Sequence, residues 1–139
     1  MFADPPQKED CDICMIPIPY TSGIGGVETI YQTCCGKTLC YGCMLSTYIE
    51  IHKGKMKSCC PFCRLSIAED NKVNIDRCNK RIELNDAEAF TSLGSQYKDG
   101  SMGLPRDMSK AIELWKQGAN LGSNDANQNL AVAYMRGEG

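Results

Sequence analysis

Apolar side chains recur at helical spacing through the second half of the chain, and their pattern predicts three helices there. The three predicted helices cover approximately residues 85–98, 108–121 and 124–136. Asn85 and Glu88 form a candidate capping box at the start of the first helix. Glycines directly after the first two helices are typical of helix ends. The second half of the chain is therefore predicted to be all-α.

A charged segment without glycine or proline, residues 65–85, comes before these helices. Ile75, Cys78 and Ile82 fall on one helix face there, at positions i, i+3 and i+7. We interpret the segment as a short amphipathic helix that connects the two halves of the chain.

Local patterns in the first half predict two smaller elements. Residues 28–33 and 38–39 are typical of a small hairpin. Tyr41, Leu45 and Tyr48 lie at i, i+4 and i+7, and this spacing predicts a short helix after the hairpin.

The first and third predicted helices share residue types at a constant offset of 37 residues. The matching pairs are Ala89 with Ala126, Leu93 with Leu130, Tyr97 with Tyr134, and Gly100 with Gly137. A small residue followed by large ones on one helix face lets a neighbouring helix pack closely. Repeat arrays usually need about three units to bury a continuous core. We therefore expect a fragment of a longer array, or helices that dock onto the first half.

Residues 86–139 resemble the Sel-one-like repeat, a relative of the tetratricopeptide repeat. The matching positions are Ala89, Leu93, Gly94, Tyr97, Gly100, Asp107, Lys110, Ala111, Trp115, Ala119 and Gly122. The resemblance implies one complete and one partial repeat in an all-α solenoid that binds protein partners. Trp115 and Tyr97 are expected to pack in its core.

The first half of the chain is distinguished by its cysteines. The chain has 139 residues and 10 cysteines, nine of which lie between Cys11 and Cys63. The start of the chain has no basic region followed by an apolar stretch, so we do not expect a secretory signal. Cysteines at short fixed spacings then predict metal ligands in a reducing intracellular compartment, cytoplasmic or nuclear, in place of disulfides.

Charge and hydropathy argue against two further classes. No apolar run approaches the roughly 18 residues of a membrane span. A net charge of −2 argues against nucleic-acid binding, which usually needs a basic excess. Lys53, Lys55 and Lys57 form the one local basic cluster in the sequence, and we interpret it as a solvated turn.

Three Cys-x2-Cys pairs and one doubled cysteine make up the cysteine pattern. The pairs are Cys11 with Cys14, Cys40 with Cys43, and Cys60 with Cys63, and the doubled cysteine is Cys34 with Cys35. A two-residue gap lets a tight turn aim both sulfurs at one ion, and zinc binds thiolates tetrahedrally at about 2.3 Å. The pattern predicts two structural zinc ions, which so small a segment needs in order to fold.

The order and spacing of these cysteines resemble the RING finger, the zinc domain of many ubiquitin ligases. The resemblance implies a small α+β domain over residues 11–64, with interleaved ligand pairs in a cross-brace. The first zinc would be held by Cys11, Cys14, Cys40 and Cys43. The second would be held by Cys60 and Cys63 with two ligands from the doubled cysteine. Residues 1–10 would be a disordered lead-in.

One ligand position departs from the commonest form of that family. The usual histidine would fall at Lys37, and a protonated ammonium cannot bind zinc. An all-cysteine subtype has a ligand at the position of Cys35, and Cys34 is the best candidate for its partner. Adjacent strand residues face opposite ways, so both can bind one ion only if the backbone turns. Cys59 or His52 stays open as a replacement for one of them.

The RING resemblance implies catalysis by positioning, with no covalent step on the ligase. The domain would bind a ubiquitin-conjugating enzyme charged with ubiquitin and orient the thioester for a substrate lysine. Ile13 and Pro61 match the family's contacts with the conjugating enzyme. Arg64 matches the arginine that hydrogen-bonds to both proteins. The expected function is that of a RING-type E3 ubiquitin transferase whose helices recruit the substrate.

Two other functions stay open on the sequence alone. A non-enzymatic, zinc-dependent adaptor would use the ions for folding and the helices for partner binding. A nucleic-acid-binding zinc module is disfavoured by the acidic charge. The spare thiols, Cys59 and Cys78, have no sign of activation, and His52 is expected at the surface near a helix end.

Overall fold

The computed structural model describes residues 10–16, 29–67 and 70–138, so most of the predicted lead-in, residues 1–10, lies outside it. The described chain is mostly helical, with one small two-stranded sheet. Its elements in order are β1 (Thr29–Gln32), β2 (Lys37–Cys40), α1 (Tyr41–His52), α2 (Asn71–Glu83), α3 (Ala87–Asp99), α4 (Met108–Asn120) and α5 (Asn124–Met135). At this coarse level the predicted α+β first part and all-α second part are confirmed.

The predicted hairpin is confirmed, and its turn carries the doubled cysteine. β1 and β2 pair antiparallel, with Ile30 opposite Leu39. The backbone N–H of Gly36 donates to the carbonyl of Gln32 at 2.8 Å, and Gly36 has a left-handed φ of 74°. The doubled cysteine lies in this turn and not in a strand. Its two thiols therefore need not point to opposite faces, as adjacent side chains in a strand do.

The predicted helix after the hairpin is α1, and it begins at a cysteine. The sulfur of Cys40 accepts a hydrogen bond from the backbone N–H of Cys43 at 3.5 Å, as an N-cap side chain does. No side chain of α1 is fully buried. Its position therefore depends on its first turn and not on a packed apolar face.

The three C-terminal helices pack in chain order, α3 against α4 and α4 against α5. Trp115 on α4 is 2% exposed at the centre of the packing, and its indole N–H donates to the carbonyl of Thr91 at 3.2 Å. The Thr91 hydroxyl donates to the hydroxyl of Ser123 at 2.9 Å, and Ser123 caps α5. The predicted core role of Trp115 is confirmed, and Tyr97 is partly buried beside it.

The start of α3 differs from the prediction by one residue. Asp86 is the N-cap, and its carboxylate accepts from the N–H of Glu88 at 3.2 Å. Asn85 has a left-handed φ of 56°, whereas an N-cap residue is extended. The capping box predicted from Asn85 is therefore wrong, although the helix it announced is present.

The connecting helix is shorter than the predicted segment, residues 65–85. α2 begins at Asn71 under the cap of Asp70, whose carboxylate accepts from the N–H of Lys72 at 2.9 Å. Ser66 instead forms an antiparallel bridge with Cys59. The predicted inward face of α2 is confirmed by Cys78, which is completely buried against α3.

No helix in the described parts of the chain is long and apolar enough to cross a membrane.

The contact between Trp115 and Gly94 predicts a large penalty for one added methyl group. A Cβ at Gly94 would lie 2.7 Å from two atoms of the indole ring, so Gly94→Ala should destabilise the protein by about 1–3 kcal/mol. Gly42→Ala on α1 is the matched control, because nothing lies within 4 Å of its added Cβ. Thermal unfolding of the two variants is followed by far-ultraviolet circular dichroism, and their melting temperatures are compared. Equal melting temperatures for both variants would contradict the packing.

Candidate metal centres

Eight of the cysteines come together in two groups of four. The first thiol group contains Cys11, Cys14, Cys40 and Cys43, and the second contains Cys34, Cys35, Cys60 and Cys63. Within each group the sulfur atoms all lie within 4.8 Å of one another. Each group joins two segments that are distant in the chain, and the two groups interleave along it. Each group could hold one metal ion.

The distances between sulfurs match the geometry of a tetrahedral ion. The sulfurs of Cys14 and Cys40 lie 3.8 Å apart in the first group, as do those of Cys35 and Cys60 in the second. A metal–sulfur bond of about 2.3 Å gives a tetrahedron with an edge of about 3.8 Å. A disulfide would need about 2.05 Å. The described cysteines are free thiols, and their spacing suits four-coordinate binding.

Two turns of the same geometry supply one Cys-x2-Cys pair to each group. In the first, the N–H of Met15 donates to the carbonyl of Cys11 at 2.8 Å, and Met15 has a φ of 58°. In the second, the N–H of Arg64 donates to the carbonyl of Cys60 at 3.0 Å, and Arg64 has a φ of 61°. The left-handed residue after each pair closes the turn, so both pairs present their sulfurs in the same way.

Backbone N–H groups point at the sulfurs of the first group. The N–H of Cys40 donates to the sulfur of Cys11 at 3.4 Å. Burial raises the pKa of Cys11, but hydrogen bonds from the backbones of Cys14 and Cys40 outweigh it and lower the pKa to about 6. Burial and the neighbouring thiols raise the pKa of Cys43 to about 12. The surroundings therefore favour ionisation of Cys11 over that of Cys43, and a bound cation would replace thiol protons.

In the second group, too, the pKa of one thiol is lowered while the pKa values of others are raised. Burial acts against ionisation of Cys60, yet hydrogen bonds from the backbones of Cys63 and Phe62 lower its pKa overall. Burial and the neighbouring Cys60 raise the pKa values of Cys34 and Cys35. Backbone donors therefore favour the thiolate of Cys11 in the first group and that of Cys60 in the second.

The candidates that the sequence left open lie outside both groups. Cys59 is half-buried beside the second group but belongs to neither set of four. His52 is exposed at the end of α1, with its ring 4.1 Å from the ring of Tyr48. Lys37 lies 3.5 Å from Asp12 in an exposed ion pair, which contributes little. Cys78 is buried, with its sulfur 3.3 Å from the carbonyl oxygen of Ala89.

The three residues assigned to ubiquitin transfer lie in the two equivalent turns. Ile13 is 44% exposed in the turn of the first group. Pro61 is half-buried and Arg64 is exposed in the turn of the second group.

A junction between the second thiol group and the helices was missed by the sequence analysis. The hydroxyl of Tyr31 on β1 donates to the carboxylate of Asp86 at 2.6 Å. Arg81 on α2 donates to the carbonyl of Cys34 at 3.3 Å. A Cβ at Gly36 would lie 2.9 Å from Asp86, so the turn approaches the helices closely. Tyr31 and Asp86 are 55 residues apart, and no local spacing signals their contact.

Tyr31 is held as a neutral donor at this junction. Burial, followed by the hydrogen bond to Asp86 and the charge of Asp86, raises its pKa. Asp86 uses its other oxygen to cap α3. One carboxylate therefore fixes both the start of α3 and the position of the hairpin.

Comparison with known proteins gives one informative relative. The chain is 27% identical over 143 aligned residues to cytochrome c oxidase assembly factor 7 of Xenopus tropicalis. The alignment covers 96% of this chain and 58% of the relative, so the chain spans somewhat over half the relative's length. No protein-family model matches the chain, and no solved structure matches it.

This relative corrects the functional reading of the sequence. A protein named as an assembly factor is similar to almost the whole chain, and neither RING-finger nor Sel-one-like models match. The assignment to those families, the E3 ubiquitin transferase activity, and the partnership with a ubiquitin-conjugating enzyme and ubiquitin are therefore wrong. The ligase interpretation depended on a family role for Ile13, Pro61 and Arg64, which the structure places in the turns of two Cys-x2-Cys pairs.

The second thiol group predicts which cysteines control metal content. Cys34→Ala removes one of four sulfurs, so bound zinc should fall from two ions to about one per chain. Cys59→Ala is the matched control from the same region and should retain both ions. Zinc is counted by atomic emission after gel filtration. Unchanged zinc in Cys34→Ala, or a loss in Cys59→Ala, would contradict this ligand set.

The junction predicts a cost for removing one hydroxyl. Tyr31→Phe removes the hydroxyl that donates to Oδ2 of the half-buried Asp86 carboxylate, so the free energy of unfolding should fall by about 1–2 kcal/mol. Tyr41→Phe changes the same atom on a 44% exposed ring and should have almost no effect. Urea denaturation of the zinc-loaded proteins measures both. A Tyr31→Phe variant as stable as Tyr41→Phe would show that the junction contributes nothing.

Proposed function

We propose that this chain is a non-enzymatic, zinc-dependent adaptor that supports assembly of a multisubunit protein complex, with cytochrome c oxidase as the first candidate. The observation that carries the proposal is the likeness of 96% of the chain to an assembly factor of that name. The two thiol groups and the exposed helical surface are consistent with such a role.

Zinc is the ion that best fits the donor set. Each group offers four soft sulfur donors and no oxygen donor, which disfavours magnesium and calcium. The sulfur spacing of 3.5 to 3.8 Å suits a tetrahedral ion. Zinc would cross-link the hairpin and α1 to the two Cys-x2-Cys turns. The interleaved sets would then form a cross-brace, in which neither turn can separate from the hairpin and α1 without breaking metal–sulfur bonds.

Four thiolates on each ion support an adaptor over an enzyme. A tetrahedral ion with four protein ligands has no position for a substrate or an activated water molecule. The two spare thiols, Cys59 and Cys78, do not supply a catalytic group in place of an open metal position. Cys78 is buried, and burial followed by the charge of Asp86 raises its pKa to about 11, which disfavours the nucleophilic thiolate.

The helices supply the surface for a partner. Tyr97 on α3 is partly buried against α4, with the ammonium of Lys110 4.4 Å from its ring centroid. Tyr134 occupies the same position on α5, 37 residues later, and is 51% exposed. Met135 beside it is 87% exposed. We propose that a subunit of the assembling complex packs a helix on this face as α4 packs on α3, which extends the three helices into a stacked array.

Complementation tests this function. Cells of Xenopus tropicalis that lack cytochrome c oxidase assembly factor 7 are given this chain, and cytochrome c oxidase activity is measured. Wild-type protein should restore part of the lost activity. Tyr134→Ala should lose most of the gain while it keeps its zinc, because the change removes an exposed ring without disturbing the core.

The control is Tyr48→Ala on α1, which removes a ring of similar exposure, 55%. It should restore activity as well as the wild type does. Folded, zinc-loaded wild-type protein that restores no activity would remove cytochrome c oxidase as the target. Equal losses in both tyrosine variants would remove the α5 face as the partner site.

A further inference from the structure

A cleft of about 540 Å³ lies beside the second thiol group, and cationic side chains surround it. Its lining contains three cations, Lys55, Lys57 and Arg64, and two hydroxyls, Ser58 and Ser66. Such a volume is in the usual range of sites for small molecules and for short parts of peptides. Neither the zinc sites nor the α5 surface uses this cleft.

The cleft is built from two backbone turns. After α1 the chain turns back, and the N–H groups of Lys55 and Met56 donate to the carbonyl of Glu50 at 3.0 and 3.2 Å. The opposite wall is the segment that bridges Cys59 to Ser66. Both walls end at the second thiol group, so the metal-bound fold would hold the two walls next to each other.

Positive charge is in excess in this cleft. Lys55 has a counter-ion, since its ammonium lies 3.8 Å from the carboxylate of Glu50. Among residues 10–16, 29–67 and 70–138, no carboxylate lies within ion-pair distance of Lys57 or Arg64. The whole chain carries a net charge of −2, so two unpaired cations in one concave site go against the general charge of the molecule. They would attract an anion of roughly double charge.

We propose that this cleft binds a phosphorylated serine or threonine of a partner protein. A phosphoryl group carries a charge of about −1.5 to −2 and three acceptor oxygens. The planar guanidinium of Arg64 can donate two parallel hydrogen bonds, and Lys57 adds a second charge. The hydroxyls of Ser58 and Ser66 can donate to the remaining oxygen. Half-buried Met56 offers an apolar contact to a side chain next to the phosphorylated residue.

A peptide suits the cleft better than a nucleic acid does. Nucleic-acid sites extend a basic surface along several phosphates and add aromatic side chains for the bases. Here the lining of the cleft contains no aromatic side chain, and its two unpaired cations are enough for one phosphoryl group. One phosphoryl group with an apolar neighbour accounts for the unpaired cations, the two hydroxyls and Met56 in the lining.

The competing explanation is charge compensation. A zinc ion with four thiolates carries a net charge of about −2, and Lys57 and Arg64 lie close to Cys60 and Cys63 in the chain. Their charges would then stabilise the metal site and bind no ligand. Because the proposal rests on the zinc-dependent fold proposed above, metal content and peptide binding are measured separately.

The experiment titrates a fluorescein-labelled hexapeptide, with one phosphoserine flanked by leucines, with the zinc-loaded chain. Binding is followed by fluorescence anisotropy at a salt concentration of about 50 mM, where screening is weak. The same peptide without phosphate should bind at least about tenfold more weakly. Arg64→Gln and Lys57→Gln should each weaken binding of the phosphopeptide by about tenfold. Lys116→Gln, which removes an exposed cation on α4, is the matched control and should bind as the wild type does.

Each outcome decides between the explanations. Phosphate-dependent binding that falls in both cleft variants, with two zinc ions retained, supports the proposal. Absence of binding by the zinc-loaded wild type overturns it and leaves the adaptor function standing. Loss of zinc in Arg64→Gln or Lys57→Gln without phosphate-dependent binding establishes charge compensation. An equal loss in Lys116→Gln shows general attraction to the chain, and equal affinity for both peptides shows an apolar site.

Discussion

Sulfur takes the place of a hydrophobic core in the first part of this molecule. Within residues 10–16 and 29–67, the buried apolar residues are Cys11, Leu39 and Cys60, and two of these three are cysteines. So little buried apolar surface cannot offset the conformational entropy lost on folding. Metal ions held by the two thiol groups would supply the difference, because each group joins segments that are distant in the chain. The hairpin turn and the start of α1 place four of these eight sulfurs.

The second part of the molecule follows the opposite principle, and one residue links the two. Trp115, Ala111 and Ala126 form an ordinary apolar core among α3, α4 and α5. Asp86 begins this part by capping α3, and it also accepts the hydroxyl of Tyr31 from the hairpin. A change in the doubled-cysteine turn is therefore felt at the start of the helices.

Features that depend on neighbours in the chain were predicted from the sequence, and those that depend on distant contacts were not. The helical spacing of apolar residues and the glycines after the helices predicted the C-terminal helices almost to the residue, because periodicity and helix-end signals are local. Asn85 and Asp86 are both good capping residues, and only the packing of Asp86 against Tyr31 distinguishes them. The spacing of the cysteines in the sequence identified the candidate members of the two thiol groups. It could not supply a function, because closed thiolate sites serve folding in proteins of many kinds.

The absence of buried side chains along α1 has a consequence for its motion. This helix is attached at its first turn, through Cys40 and Cys43. Its other end is the exposed residue His52. Local opening costs least where few apolar contacts are broken. The backbone amides near the far end of α1 should therefore exchange with solvent through small local openings, long before the sulfur-linked part of the molecule comes apart. The turn after α1, which contains Lys53, Lys55 and Lys57, can then adjust its shape to the phosphoryl group proposed above while the two thiol groups keep their geometry.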